Sequence, residues 1–199
     1  MPVTLSYPGV YIEELASGVR TITGVATSIT AFIGSALRGP TDQAVRIQNF
    51  SDYLRKFGDM SAASMMGYAV QQYFQHGGSD AYIVRVASDD AKAAEIPLPS
   101  EESGSNLALA GASKGSWGNS LRATVSHTAV SDPADTSLFT LVIEELEAPG
   151  SSTVLNTETF MNLTVDPNSP RYVVSVLQDN SALVVVAGSA PPKRPKPTT

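Results

Sequence analysis

The chain has 199 residues, of which 42% are hydrophobic and only 16% are charged. It has no cysteine, which excludes disulfides and cysteine-bearing zinc or iron–sulfur sites, and its two histidines leave too few ligands for most histidine metal sites. Residues 87–190 carry thirteen acidic and four basic side chains, and the whole chain has a formal net charge of −6. No nucleic-acid partner is expected, because phosphate binding needs a basic face.

Residues 1–20 are predicted to form an extended arm. Apolar residues alternate with polar or small ones up to Pro8-Gly9, and the alternation then resumes one residue out of phase, which indicates two strand segments joined at a turn or bulge. The first 20 residues contain no hairpin partner, so the arm must pair with a sheet elsewhere, and in an assembly we expect that sheet to belong to another chain. The candidate partner-binding residues are Val3, Leu5, Tyr7, Val10, Tyr11 and Ile12.

Residues 21–88 are predicted to form a small α/β unit with the order β-β-α-α-β. Its strands are expected at 29–33, 44–47 and 81–86, and its helices at 52–57 and 61–76. Ser51 is the predicted N-cap of the first helix, and Gly58 follows its end. The second helix has no charged residue, which is typical of a helix covered on more than one side.

Residues 89–190 are predicted to form a β-rich domain. Strands are expected at 107–110, 121–127, 137–146 and 182–186, while 87–106 reads as a surface crossing or a domain boundary. The run 171–177, after the N-cap candidate Ser169, has a β-rich composition and fits a strand or a short helix. Residues 191–199 form a Pro-rich basic tail that we expect to be extended and disordered.

No catalytic site is predicted. His76 ends an apolar helix next to glycine, which favours a capping or surface role, and His127 follows Ser126 on one strand, so the two side chains point to opposite faces. The acidic run Glu144, Glu145 and Glu147 could bind a hard cation, but a solvent-facing strand end is favoured. The glycine-rich segment 111–118 fails the phosphate-loop pattern because its lysine precedes the second glycine. We therefore expect no enzyme activity, no cofactor and no metal.

No run of 18 apolar residues occurs, and residues 1–7 lack the pattern of a secretory signal, so no membrane insertion is expected.

Taken in order, the segments of the chain resemble contractile tail sheath proteins of phages, pyocins and contractile injection systems. The resemblance is dense over residues 7–86 and looser over 110–186. It rests on YPGVYIEE (7–14), GVATSITAFIG (24–34), Gly39-Pro40, the helix 50–58, the aromatic and glycine pattern of 68–78, AYIVRV (81–86) and GSWGNSL (115–121).

The resemblance implies a structural subunit that polymerises around an inner tail tube and contracts to drive it through a target envelope. It also implies an α/β core with an inserted β-rich domain, and other sheath subunits, the inner tube and a baseplate or tail terminator as partners. The implied location is a virion tail or contractile particle assembled in the bacterial cytoplasm. The alternative is a truncated sheath-like capping or adaptor module that binds a sheath end without polymerising.

Sheath chains of this family are usually longer, and their C-terminal half completes the core sheet. The resemblance therefore implies an unfinished core in this chain. We expect an unpaired sheet edge, and we expect Ile33, Phe74 and Ile83 to be less covered than in a complete subunit.

Overall fold

The computed structural model describes residues 29–132 and 134–198, and over these ranges it has the mixed α/β fold that the sequence predicts. The elements in chain order are β1 (Thr30–Gly34), β2 (Ala44–Ile47), α1 (Phe50–Phe57), α2 (Met66–Gln75), β3 (Ala81–Arg85), β4 (Glu95–Pro99), β5 (Asn106–Gly111), a 3₁₀ turn (Ser116–Ser120), β6 (Leu121–Ser126), β7 (Phe139–Leu146), β8 (Val154–Leu163), α3 (Val173–Asn180) and β9 (Val184–Val186).

The first unit, residues 29–86, is a three-stranded sheet with two helices on one face. The strand order is β1-β3-β2, with β1 parallel and β2 antiparallel to β3. Alternate strand residues meet the helices, as the period of two requires. The fully buried core between the sheet and the helices contains Ile47, Tyr53, Phe57, Val70 and Ile83.

The helix boundaries of the first unit differ from the prediction at their N-termini. Asn49, not Ser51, caps α1, because its side-chain oxygen accepts a hydrogen bond from the backbone N–H of Asp52 at 2.8 Å. Gly58 ends the helix as predicted, with a φ of +85° and its N–H donating to Leu54. The helix predicted at 61–76 begins only at Met66, because residues 61–64 form a turn.

The β-rich unit, residues 94–132 and 134–198, contains two antiparallel three-stranded sheets. Their strand orders are β4-β5-β9 and β6-β7-β8, and their apolar residues share one buried cluster. Two of these strands were not predicted. Strand β4 lies in the segment read as a crossing, where prolines alternate with Ile96 and Leu98, and β8 is ten residues long.

The run 171–177 falls mainly in a helix, one of the two alternatives that its composition allowed. Helix α3 begins after Tyr172, so the proposed cap at Ser169 is wrong, and Ser169 instead closes a turn by accepting the N–H of Tyr172. Val173, Val176 and Leu177 of α3 are buried in the core of the β-rich unit. No helix in the described ranges is long and apolar enough to cross a membrane.

The Pro-rich tail is extended, as expected, but the prediction that it is disordered is wrong for residues 191–198. Its backbone bonds to the edge of β4, where the N–H of Lys196 donates to Pro99 at 2.7 Å. It also bonds to the edge of β6, where the N–H of Thr198 donates to Val125 at 3.0 Å. Arg194 pairs with Glu101 at 3.1 Å. These contacts satisfy two strand edges that would otherwise be open, which explains why a proline-rich segment is ordered here.

Candidate functional site

Strand β1 has one hydrogen-bonding edge that no other described strand of the first sheet occupies. In a parallel pair, alternate residues point both backbone groups at the same neighbour. Gly34 faces β3, since its carbonyl accepts the N–H of Val86 at 2.8 Å, so the backbone groups of Ala31 and Ile33 point to the other side. Among the described residues, no strand pairs with that side. It can therefore accept an added strand.

The sheet face opposite the helices is mainly apolar, with Arg46 of β2 beside Tyr82, and no other described element covers it. Ile33 is 71% exposed, Val86 52% and Tyr82 36%. Parallel strands are normally covered on both faces, so a sheet with one bare apolar face is suited to a protein partner. Of the three residues expected to be incompletely covered, Ile33 is exposed and Phe74 is partly buried, whereas the expectation is wrong for Ile83, which is fully buried because its side chain points to the helices.

A groove of about 370 Å³ runs beside the open edge of β1. Ile33 and Gly34 form one side, and the residues before and within the start of α2, including Met65, form the other. Met65 is 76% exposed, so two large apolar side chains flank the groove. A strand added to β1 would lie next to this groove, which could hold its side chains.

Arg85 joins the first unit to the β-rich unit. Its side chain is buried under the loop that follows β1, and its guanidinium donates to the carbonyl oxygens of Gly39 and Lys114, each at 2.8 Å. It also donates to Ala36 at 3.0 Å. Burial lowers the pKa of Arg85 from its ordinary value, since the charged form loses water contact. The carbonyl oxygens replace that water, and because they come from both units, the Arg85 cation links the first unit to the β-rich unit at their junction.

Three further contacts fix the same junction. Arg38 pairs with Glu145 at 2.8 Å, and its guanidinium lies 6.0 Å from the centre of the Trp117 ring. The N–H of Gly39 donates to the hydroxyl of Ser113 at 3.0 Å. The glycine-rich segment 111–118, which failed the phosphate-loop pattern, therefore holds the β-rich unit against the first unit.

The polar candidates do not converge into a catalytic arrangement in the described ranges. The His76 ring bonds to the carbonyl of Gln72, as a capping residue does, and the His127 ring bonds to the carbonyl of Pro195, each at 2.8 Å. Glu144 is paired with Arg122, and Glu145 with Arg38, so this run is partly engaged rather than free for a cation. No group of three or more metal-binding side chains occurs among the residues that the structure describes.

The six arm residues predicted to bind a partner all lie outside the described ranges. These residues are Val3, Leu5, Tyr7, Val10, Tyr11 and Ile12. The structure thus supplies the open edge that an arm could use, while the arm itself stays a prediction from the sequence. Sequence reasoning missed the role of Arg85, although a signal existed. In strand 81–86, Ala81, Ile83 and Arg85 share the inward face, which places a cation among buried residues.

The fold is similar to that of sheath tail proteins. A crystal structure of a sheath tail protein from Listeria innocua matches 85% of this chain with a TM-score of 0.53 and 14% identity. A second sheath tail protein, from Desulfitobacterium hafniense, matches 95% of the chain with a TM-score of 0.46 and 15% identity. The chain spans 32% and 38% of the lengths of these two proteins. No family model and no curated protein sequence matches the chain.

Proposed function

We propose that this chain is a structural subunit of a contractile tail sheath, which polymerises around an inner tail tube. The observation that carries the proposal is a sheath-tail-like fold whose first sheet presents an open edge at β1. The bare apolar face around Ile33, Tyr82 and Val86 adds to it, because such a surface favours association. Other copies of the chain, the inner tube and a baseplate or tail terminator are the proposed partners.

In this proposal the arm, residues 1–20, adds a strand to the β1 edge of a neighbouring subunit. Backbone hydrogen bonds to Ala31 and Ile33 give the link its strength, and alternate side chains of the arm set its register. The alternation of apolar residues shifts by one position at Pro8-Gly9, so the apolar side chains before the turn and those after it belong to opposite faces of the arm. Each subunit has one arm and one edge, so the contact is heterologous and propagates.

Contraction follows from a polymer with two arrangements. The extended arrangement is metastable, and the contracted one buries more surface between subunits, so the change releases free energy without nucleotide hydrolysis. The arms keep the subunits connected while the bodies rotate, because a backbone strand link tolerates changes in the orientation of the units that it joins. The released energy drives the inner tube through a target envelope.

A proline at position 33 tests strand addition while sparing the fold. The N–H of Ile33 points to the open edge, so Ile33→Pro removes a donor for an added strand and leaves the β1–β3 hydrogen bonds in place. Ile33→Thr is the matched control, since it removes the exposed apolar side chain but keeps the N–H. Sedimentation velocity and negative-stain microscopy of the 199-residue chain give the readout.

We expect the unsubstituted chain to sediment well above its 20.9 kDa monomer mass and Ile33→Pro to shift it towards the monomer. Removal of residues 1–20 should have the same effect, and Ile33→Thr should have a smaller one. A chain that stays a sharply melting monomer at high concentration would contradict the sheath subunit and favour the capping or adaptor module.

A further inference from the structure

A cleft of about 410 Å³ lies where the first unit meets the β-rich unit, on a different surface from the β1 edge. One wall comes from the loop after β1 and the end of α1, and the other comes from the β-rich unit. The residues that line the cleft include Arg38, Arg55, Lys56, Trp117 and Leu183. None of the residues that line the cleft is acidic, so its local charge contrasts with the net charge of −9 on residues 87–190.

Lys56 is the cleft donor that remains available to a ligand. Arg38 uses one terminal nitrogen for Glu145, and its Nε, although it has no hydrogen-bond partner, is enclosed by the protein and out of reach of an occupant. Lys56 forms no ion pair within the described ranges, and its ammonium group reaches only the carbonyl of Arg46 at 3.3 Å.

The third cation, Arg55, is only weakly neutralised. It pairs with Asp52 one turn away on the same helix, and its side chain is 70% exposed, so solvent screens the pair. Three cations thus face one cleft, whereas only two carboxylates pair with them. The positive balance favours an occupant that brings negative charge.

The opposite wall combines Trp117 and Leu183 with the polar Ser113 and Asn156, and the Trp117 ring is held in place. The indole nitrogen of Trp117 donates to the backbone and hydroxyl oxygens of Ser113 at 3.2 and 3.1 Å, and the Arg38 guanidinium lies over the ring. Leu183, which is almost fully buried, continues this wall. A preformed cleft of this kind loses little freedom on binding. It fits a segment that carries carboxylates beside a small or apolar residue.

We propose that the cleft binds the Asp89–Asp90 turn of a second copy of this chain. Both aspartates lie on an exposed turn and form no ion pair among the described residues. The turn follows the 52% exposed Val86 and precedes Ala91, so acidic and apolar groups occur together. We place the cleft and the turn of one copy against two different neighbours, which makes the contact heterologous and adds it to the arm contact of the proposed function, on which its role in assembly rests.

A labelled peptide of residues 84–93 (VRVASDDAKA) tests the cleft without requiring assembly. We expect the 199-residue chain to bind it in a salt-sensitive manner, and to bind a D89N/D90N version more weakly, by up to about fivefold for each exposed ion pair that is lost. Lys56→Glu should reduce binding similarly. Lys196→Glu, the same charge change at an exposed site outside the cleft, should leave binding unchanged.

A second experiment reverses the charges of the cleft and of the turn. In sedimentation velocity, Lys56→Glu alone and Asp90→Lys alone should each weaken self-association, and an equimolar mixture of the two variants should recover part of it. Equal peptide binding by the acidic and amide peptides, or equal losses in Lys56→Glu and Lys196→Glu, would overturn the cleft assignment. Assembly that depends on the β1 edge without peptide binding would refute only the cleft, whereas peptide binding with self-association that stops at small oligomers and is unchanged in Ile33→Pro would refute only the sheath subunit.

Discussion

Arg85→Met should loosen the junction between the two units more than any surface substitution. The methionine fills much of the same volume but donates no hydrogen bond. The carbonyls of Gly39 and Lys114 would then lose their charged donor at 2.8 Å each. The buried Gly39 carbonyl left without a partner costs roughly 1–3 kcal/mol, whereas the part-buried Lys114 carbonyl can bind water instead, so we expect a loss of about 1–3 kcal/mol in the free energy of unfolding. That is a large fraction of the ~5–15 kcal/mol that typically stabilises a domain.

The single tryptophan provides a local probe for this substitution. Trp117 lies at the junction, so its fluorescence in a urea titration reports the opening of the junction, whereas far-UV circular dichroism reports the whole chain. We expect the fluorescence transition of Arg85→Met to occur at lower urea than the circular dichroism transition. Arg122→Met is the control, because its pair with Glu144 is half-exposed and should be worth at most about 1 kcal/mol. Equal, small losses in both variants, with coincident transitions, would refute the junction argument.

Three further predictions concern the turns, the pH dependence and the tail. Gly39→Ala should cost more than Gly77→Ala: both glycines have positive φ, but only at position 39 would a Cβ lie 2.7 Å from backbone and ring atoms, which thermal melts can compare. Hydrogen bonding to Arg46 lowers the pKa of Asp80 below its ordinary 3.8, so the pair stabilises the fold above that pH and the contribution is lost as pH falls through the lowered value. Asp80→Asn should therefore lower the melting temperature at pH 7, and the difference should shrink as the pH falls below 3.8. Arg194→Ala should speed amide exchange along β4 and β6, with no change in β2; unchanged exchange would contradict the edge-covering role of the tail.

The first unit could be predicted well because its signals are local. Strands β1, β2 and β3 follow period-two patterns bounded by glycine or proline, and the open edge at β1 follows from the short sheet that they form. The N-cap was misplaced because Asn49 and Ser51 are both good caps and stand two residues apart. Only the backbone geometry, which gives Asn49 an extended conformation, decides between them.

The β-rich unit was harder to predict because distant contacts decide its structure. Strand β4 contains two prolines, which argue against a strand, but it is an edge strand where the missing donors are tolerated. The first four residues of strand β8 are exposed, so that the strand lacks a clear alternation. The tail looked disordered from its composition, since no local rule shows that the edges of β4 and β6 are its partners. The junction cleft likewise depends on residues more than a hundred positions apart.

Cross-linking between two tagged copies is a direct test of strand addition from one chain to another. The chain has no cysteine, so Val10→Cys in one copy and Ile33→Cys in a differently tagged copy give a single thiol each. The two variants are mixed and treated with a short bismaleimide linker. If the arm of one copy adds to β1 of another, we expect a product of twice the 20.9 kDa monomer mass that carries both tags. No such product in the mixture, together with a monomeric product linked within one chain when both cysteines are placed together, would contradict it.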